Sequence, residues 1–218
     1  MSKRAQEATI TQTISNDVLE KAFDERFPLE MKEKLRSARV AIAGLGGLGS
    51  HIAVMLARSG VGHLFLVDYD VVDVTNLNRQ MYLIPQLGKK KTEALLEILQ
   101  QINPYLSYET CCTKVTSDNV KELFGEYIYV CEAFDQADQK AMLVNGILME
   151  CPNTIIVSGN GMAGYGDCND IVTKQQMRRL YICGDGKTDV GDGLGLMAPR
   201  VAACAAHQAN KVIQLILS

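Results

Sequence analysis

Val40-Ala41-Ile42-Ala43-Gly44-Leu45-Gly46-Gly47-Leu48-Gly49-Ser50 is the stretch that decides the fold. Arg39 to Ala43 is a short apolar run that reads as a buried strand. Gly44, Gly46 and Gly49 follow in G-x-G-x-x-G spacing. The first permits a tight turn, the second a close backbone approach to phosphate, and the third lets the next helix pack on the strand. That helix is expected from about Gly47 to Ser59, with its free amides and positive dipole end directed at an anion. A second strand, His63 to Val67, ends in Asp68, about twenty residues past the glycines, where an acid can take a ribose hydroxyl. A glycine-rich turn alone can bind nothing. With strand, helix and acid in register, it indicates nucleotide binding.

The chain has 218 residues, 47% apolar and 22% charged, with a formal net charge of −3. That length accommodates one well-buried α/β domain, so one domain is expected over 1–218, with 1–37 as an N-terminal helical arm. The charge gives no strong field for nucleic acid or anionic membrane. No apolar run reaches membrane-spanning length. The polar start, Met1 to Glu7, does not read as a signal peptide, and a cytoplasmic location is expected. Seven cysteines, 111, 112, 131, 151, 168, 183 and 204, contain no Cys-x-x-Cys pair. They read as small buried hydrophobes in a reducing compartment.

Residues 1–13 have weak periodicity and read as a frayed or partner-dependent arm. Ser15 is a candidate cap for a helix from about Asn16 to Arg26, striped by Val18, Leu19, Ala22, Phe23 and Phe27. Pro28 breaks it, and Leu29 to Ser37 reads as a second helix. After the strand–helix–strand unit comes a long connection, 69–88, of the length that tends to be functional. Helices are expected at Lys89–Asn103, Ser117–Phe124 (capped at Ser117), Gln136–Met149 and Met197–Leu217. Strands are expected at Ser107–Val115, Tyr127–Ala133 and Thr154–Ser158, with strand-like pieces at Asp170–Val172 and Arg179–Ile182. The alternation predicts an α/β, Rossmann-like, mostly parallel sheet flanked by helices, with an antiparallel extension near the C-terminus.

Chemistry is expected at the strand ends, where open α/β sheets bind ligands. The second strand offers Asp68 and Asp70, and the fourth offers Asp135. The connection adds Asn76, Arg79 and Gln80, and the next helix begins with Lys89, Lys90 and Lys91. Carboxylates suit Mg²⁺ and cations suit phosphates. Each also has a plainer reading: a solvated helix start for the lysines, a surface ion pair for Arg79, a helix cap for Asp135.

Taken together, these pieces resemble the ThiF/MoeB/HesA family, prokaryotic relatives of the ubiquitin-activating enzymes. The matching elements are Gly44 to Ser50, Asp68-Tyr69-Asp70, Asn76-Leu77-Asn78-Arg79-Gln80, Gly88 with Lys91, Asp135 after an apolar strand, and Gly195-Leu196-Met197-Ala198-Pro199 before the last helix. The resemblance runs from about residue 35 onward and points most closely to a short ThiF-like member. It implies ATP and Mg²⁺ as cofactors, and adenylation of the C-terminal glycine of a small ubiquitin-like carrier ending in Gly-Gly. It implies that Gly44, Gly46, Gly47 and Gly49 hold the nucleotide and Asp68 the ribose, with Asp70 beside it. Arg79 and Lys91 would bind phosphates, Asp135 would bind Mg²⁺, and Asn76 and Gln80 would support that shell.

Three departures bear on function. Zinc-bearing relatives carry two late Cys-x-x-Cys pairs, whereas Leu180 stands where a partner for Cys183 would be, so no zinc is expected. Relatives that link covalently to their carrier use a cysteine near the position of Gly191; Cys183 and Cys168 are the nearest thiols. A small buried hydrophobe is the reading kept for both, but Cys183 precedes Gly184-Asp185-Gly186, a place that could expose its thiol on a loop, where Asp185 and Asp189 would raise its pKa and disfavour the thiolate. The family's N-terminal Arg-Gln motif is absent, and Arg26 is the nearest candidate to reach a partner subunit. The reading is a homodimeric adenylyltransferase acting on a ThiS-like carrier in thiamine or related sulfur metabolism. Its rivals are a nucleotide-binding scaffold without chemistry and a member activating another carbonyl, such as a modified tRNA base. The negative charge and lack of a basic tail speak against tRNA. A dehydrogenase would leave Arg79, Lys91 and Asp135 unexplained.

Overall fold

A computed structural model describes residues 14–218; the expected arm at 1–13 lies outside the described residues. The strands are β1 (Arg39–Ala43), β2 (His63–Val67), β3 (Ser107–Cys111), β4 (Tyr129–Glu132), β5 (Ile155–Gly159), β6 (Val172–Met177) and β7 (Leu180–Gly184). They form one sheet in the order β3-β2-β1-β4-β5-β7-β6. Every pairing is parallel except β6 with β7. The helices are α1 (Asn16–Asp24), α2 (Leu29–Ser37), α3 (Gly47–Arg58), α4 (Lys91–Ile102), α5 (Val120–Phe124), α6 (Ala137–Glu150) and α7 (Ala198–Leu217). Among the described residues, no helix is long and apolar enough to cross a membrane.

Side chains alternate across a strand, and β1 uses both faces. Val40 and Ile42 enter a core with α3, α4 and α7, while Ala41 and Ala43 enter a second core with α5 and α6. Burial on both faces explains why this strand is a continuous apolar run. The chain order reverses at β1: β2 and β3 lie to one side, β4 and β5 to the other. The crevice at such a switch point is where the glycine turn sits.

Two glycines make that turn possible. Gly44 has φ of +88°, and a Cβ on it would lie 2.9 Å from the Ala133 carbonyl oxygen. A Cβ at Gly49 would overlap the carbonyl oxygen of Gly44. Gly49→Ala is therefore expected to lower stability by about 1–3 kcal/mol through overpacking, read as a drop in the urea midpoint; an unchanged midpoint would refute this packing role.

Several local expectations needed correction. The helix α1 stops at Asp24, with Ser15 Oγ accepting from Val18 N–H at 3.4 Å, and none of its residues is fully buried. Arg26 lies beyond it, exposed. At α5 the N-cap residue is Asn119 rather than Ser117, because the Asn119 amide instead bridges Thr116 N–H and the Lys114 carbonyl. The piece expected as strand at Asp170–Val172 begins as a helical turn, Cys168–Asp170, because the Asp167 carboxylate accepts from Asn169 N–H. The strand β6 starts only afterwards, and β7 joins it to β5, so the extension is continuous with the main sheet. Cys112 and Cys168 are exposed rather than buried.

Candidate functional site

A cavity of about 420 Å³ opens at the carboxyl ends of the strands. Its lining includes Gly44, Gly46, Gly47, Asp68, Asp70, Asn76, Arg79, Gln80, Lys91 and Asp135. Every residue that the resemblance assigns to the site therefore faces one space except Gly49, which packs behind the turn.

The N-terminus of α3 forms one wall. Gly46 is its N-cap and supplies no side-chain cap, so the first-turn amides keep their affinity for an anion. The connection carrying Arg79 and Gln80 is fastened to this turn. Ser50 Oγ accepts from Met81 N–H at 3.3 Å, the His51 ring meets the Arg79 carbonyl at 3.2 Å, and Tyr82 Oη donates to the Leu45 carbonyl at 2.8 Å. Burial, with the charges of Asp68 and Asp70, pushes the Tyr82 phenol up, keeping it a donor.

The two aspartates have different local partners. Asp68 is buried and accepts from Leu45 N–H at 2.6 Å and from Asp70 N–H at 2.8 Å. It ties the glycine turn to β2 while still facing the cavity. Asp70 pairs with Lys91 at 2.8 Å. Of the three lysines, only Lys91 turns into the cavity; Lys89 pairs with Glu97 and Lys90 with Glu93 on the outer surface. Arg79 donates to the Thr75 carbonyl and to Asn78 Oδ1. Asn76 Oδ1 caps the turn by accepting from Asp73 N–H at 3.0 Å. Gln80 Oε1 is buried with no hydrogen-bond partner among the described residues, so the cavity holds an acceptor lacking its donor.

The opposite wall is the turn from β4 into α6. Gln136, not Asp135, is the N-cap of α6, which removes the plain capping role for Asp135 and leaves its carboxylate exposed at the rim. Behind it lies a polar cluster that the sequence reading missed. Glu132 is fully buried and accepts from Phe134 N–H at 2.7 Å and Ser158 Oγ at 2.5 Å. Lys140 Nζ reaches both of its oxygens, at 3.1 and 3.0 Å. An acid ending an apolar strand, with a lysine eight residues on, was the only hint.

Met162, Val190, Leu196 and Val201 close the far side. Asn78 Nδ2 donates to the Leu196 carbonyl at 3.1 Å, so this segment meets the Arg79 connection. A second missed pair, Arg200 with Asp185, lies beneath it, and Arg200 also donates to the Asp167 carbonyl at 2.8 Å. Cys183 takes the buried reading and not the exposed one its place before Gly184 allowed: it is a buried residue of β7. Burial, not Asp185 or Asp189, pushes its thiol up to about 11. Among the described residues, no group of three or more His, Cys, Asp or Glu is placed to hold a metal.

A profile described as the ThiF family matches residues 20–218. The adenylyltransferase and sulfurtransferase MOCS3 of Culex quinquefasciatus is 31% identical over 193 residues, covering 84% of this chain and 43% of its own length. The tRNA threonylcarbamoyladenosine dehydratase of Haemophilus influenzae is 35% identical over 130 residues, covering 59% of this chain and 50% of its own. The chain thus spans about half the length of these curated relatives. Among solved structures, the E. coli tRNA N6-threonylcarbamoyladenosine dehydratase TcdA in complex with ATP matches with a TM-score of 0.83. It is 23% identical and is matched over 94% of this chain and 97% of its own, a likeness of fold.

Proposed function

The chain belongs to the ThiF family, and from that premise we propose that it binds MgATP and adenylates the C-terminal glycine of a small ThiS-like carrier. It would do so as a cytoplasmic homodimer, in thiamine or related sulfur metabolism. One observation carries the reading. Arg79, Lys91 and the side-chain-uncapped N-terminus of α3 converge on one cavity, a donor set suited to a triphosphate.

The chemistry needs no acid or base from the protein. A carboxylate oxygen of the carrier attacks the α-phosphorus, the new P–O bond forms, and the α–β anhydride breaks to release pyrophosphate. Arg79 and Lys91 hold the departing charge, and the glycine turn orients the nucleotide. Mg²⁺ fits the residues present, because that ion is normally held by one or two carboxylates together with phosphates and water, and Asp135 offers one exposed carboxylate at the rim. When bound, the ion neutralises phosphate charge. Asp135→Asn is expected to raise the Mg²⁺ concentration for half-maximal activity several-fold, with a smaller change in ATP affinity. Titrating Mg²⁺ at saturating ATP checks this, and an unchanged midpoint removes Asp135 from the metal's coordination.

The test of the whole reading is ATP–pyrophosphate exchange with candidate carriers ending in Gly-Gly. Exchange with none of them would leave a nucleotide-binding scaffold. A second reading, activation of a carbonyl on a modified tRNA base, draws support from the likeness to the Haemophilus influenzae dehydratase. ATP turnover stimulated by tRNA and not by a carrier would favour it.

A further inference from the structure

The cavity has two flanks. The tips of β2 and β3 give Asp68, Tyr69, Thr113, Lys114 and Val115; the tips of β4 and β5, with α7, give Lys140, Met162 and Val201. The phosphate-binding candidates Arg79 and Lys91 stand with the glycine turn, between β1 and β2. Lys140 stands apart from them. It is tied to β5 through Glu132 and Ser158, and among the described residues it is the one cation lining the β4–β5 flank.

An ammonium group has three protons. Two go to the Glu132 oxygens, and the third has no partner among the described residues. The Lys140 side chain is one-fifth exposed, at the cavity wall, whereas Glu132 is sealed behind it. The pair is neutral as a whole, and Asp135 and Asp138 line the same flank, so it offers a directed donor without an excess of positive charge. That suits a singly charged carboxylate better than a polyphosphate. It also suits a carboxylate that loses its own charge on becoming the acyl part of a mixed anhydride, whose remaining charge lies on the phosphate, since no strong field would hold the acyl group after reaction.

We propose that the third ammonium proton of Lys140 receives the terminal carboxylate of the acceptor and sets it beside the α-phosphate. Glu132 and Ser158 are positioning residues that hold Lys140 in place. This rests on the adenylation reading and names the acceptor's recognition point within it. No proton is transferred: Lys140 donates to the carboxylate oxygen that does not attack, while the other oxygen forms the bond to phosphorus.

The test uses a ThiS-like carrier ending in Gly-Gly. Wild-type protein that shows no exchange with any such carrier overturns the adenylation reading, and this inference with it. With exchange established, the double substitution Glu132→Gln with Lys140→Gln removes the buried charge together with its partner. Carrier KM should rise about tenfold to a hundredfold, the loss expected for one charge-assisted hydrogen bond, with a much smaller fall in kcat and little change in ATP affinity. A second arm needs no variant. Wild-type protein with a non-hydrolysable ATP analogue should bind a carrier whose terminal carboxylate is amidated at least tenfold more weakly than the native carrier. Carrier KM within threefold of wild type in the folded double variant, or equal binding of the two carriers, overturns the inference.

Discussion

Arg79→Ala is expected to lower carrier-dependent pyrophosphate exchange by about a hundredfold or more, the usual cost of removing one cation from a phosphoryl-transfer site. The protein should remain folded, because the Arg79 connection is held through its backbone. The Arg79 carbonyl meets the His51 ring, Arg79 N–H donates to the Asn76 carbonyl at 3.1 Å, and Ser50 and Tyr82 fasten the residues that follow. The side chain itself spends only one guanidinium nitrogen, on the Thr75 carbonyl and Asn78 Oδ1. The loss should therefore appear in activity and nucleotide binding, with a far smaller shift in melting temperature. Exchange within a few-fold of wild type would take Arg79 out of the site.

Asp185→Asn should cost about 3–5 kcal/mol of stability, because it leaves a buried charge unpaired. Arg200 is 2% exposed, its Nε has no partner among the described residues, and Asp185 is the carboxylate facing it. The substitution keeps an oxygen for Lys187 N–H and Thr188 N–H, so it isolates the charge. The same pair predicts an acid limb. Burial acts to raise the Asp185 carboxyl, but hydrogen bonds from Thr188, Lys187 and Arg200 outweigh it and hold the group at about 2. A folded-state value below the unfolded one, about 3.9, means the contribution is complete above that pH and is lost as pH falls toward 2. Urea midpoints at pH 7 and pH 3 would read both effects. The variant should be much less stable at pH 7 and should lose less than wild type on acidification. Equal midpoints at pH 7 would show that the pair carries no net stability.

The extent of sequence legibility follows the range of the interactions involved. The strand β1, the helix α2 and the strand β2 fall where the sequence reading set them, and α3 ends within one residue of its expected boundary. Their signals are local: apolar runs buried on both faces, glycines at fixed spacing, and a proline stop. The site's glycines and Asp68 were readable for the same reason, since each sits within a few residues of a strand end, whereas Arg79 and Gln80 lie in the long connection after β2 and were marked by the Asn76-Leu77-Asn78-Arg79-Gln80 pattern. Where local capping competed, at Asn119 and Asp167, element starts moved by a few residues.

What sequence could not decide was pairing across distance. Lys89, Lys90 and Lys91 are equivalent in one dimension; the start of α4 against Asp70 selects Lys91. Glu132 meets Ser158 because β4 and β5 pair in register, and it meets Lys140 because α6 turns back over β4. Asp185 meets Arg200 only because α7 packs where the segment after β7 returns. Cys183 is buried because β7 lies between β5 and β6, in a core that α7 completes. Periodicity and turn chemistry therefore determined the parallel sheet and the glycine turn. Sheet register and helix packing decided which charges face the cavity and which are spent inside, because buried charges pair with whatever the fold brings near, whatever their separation along the chain.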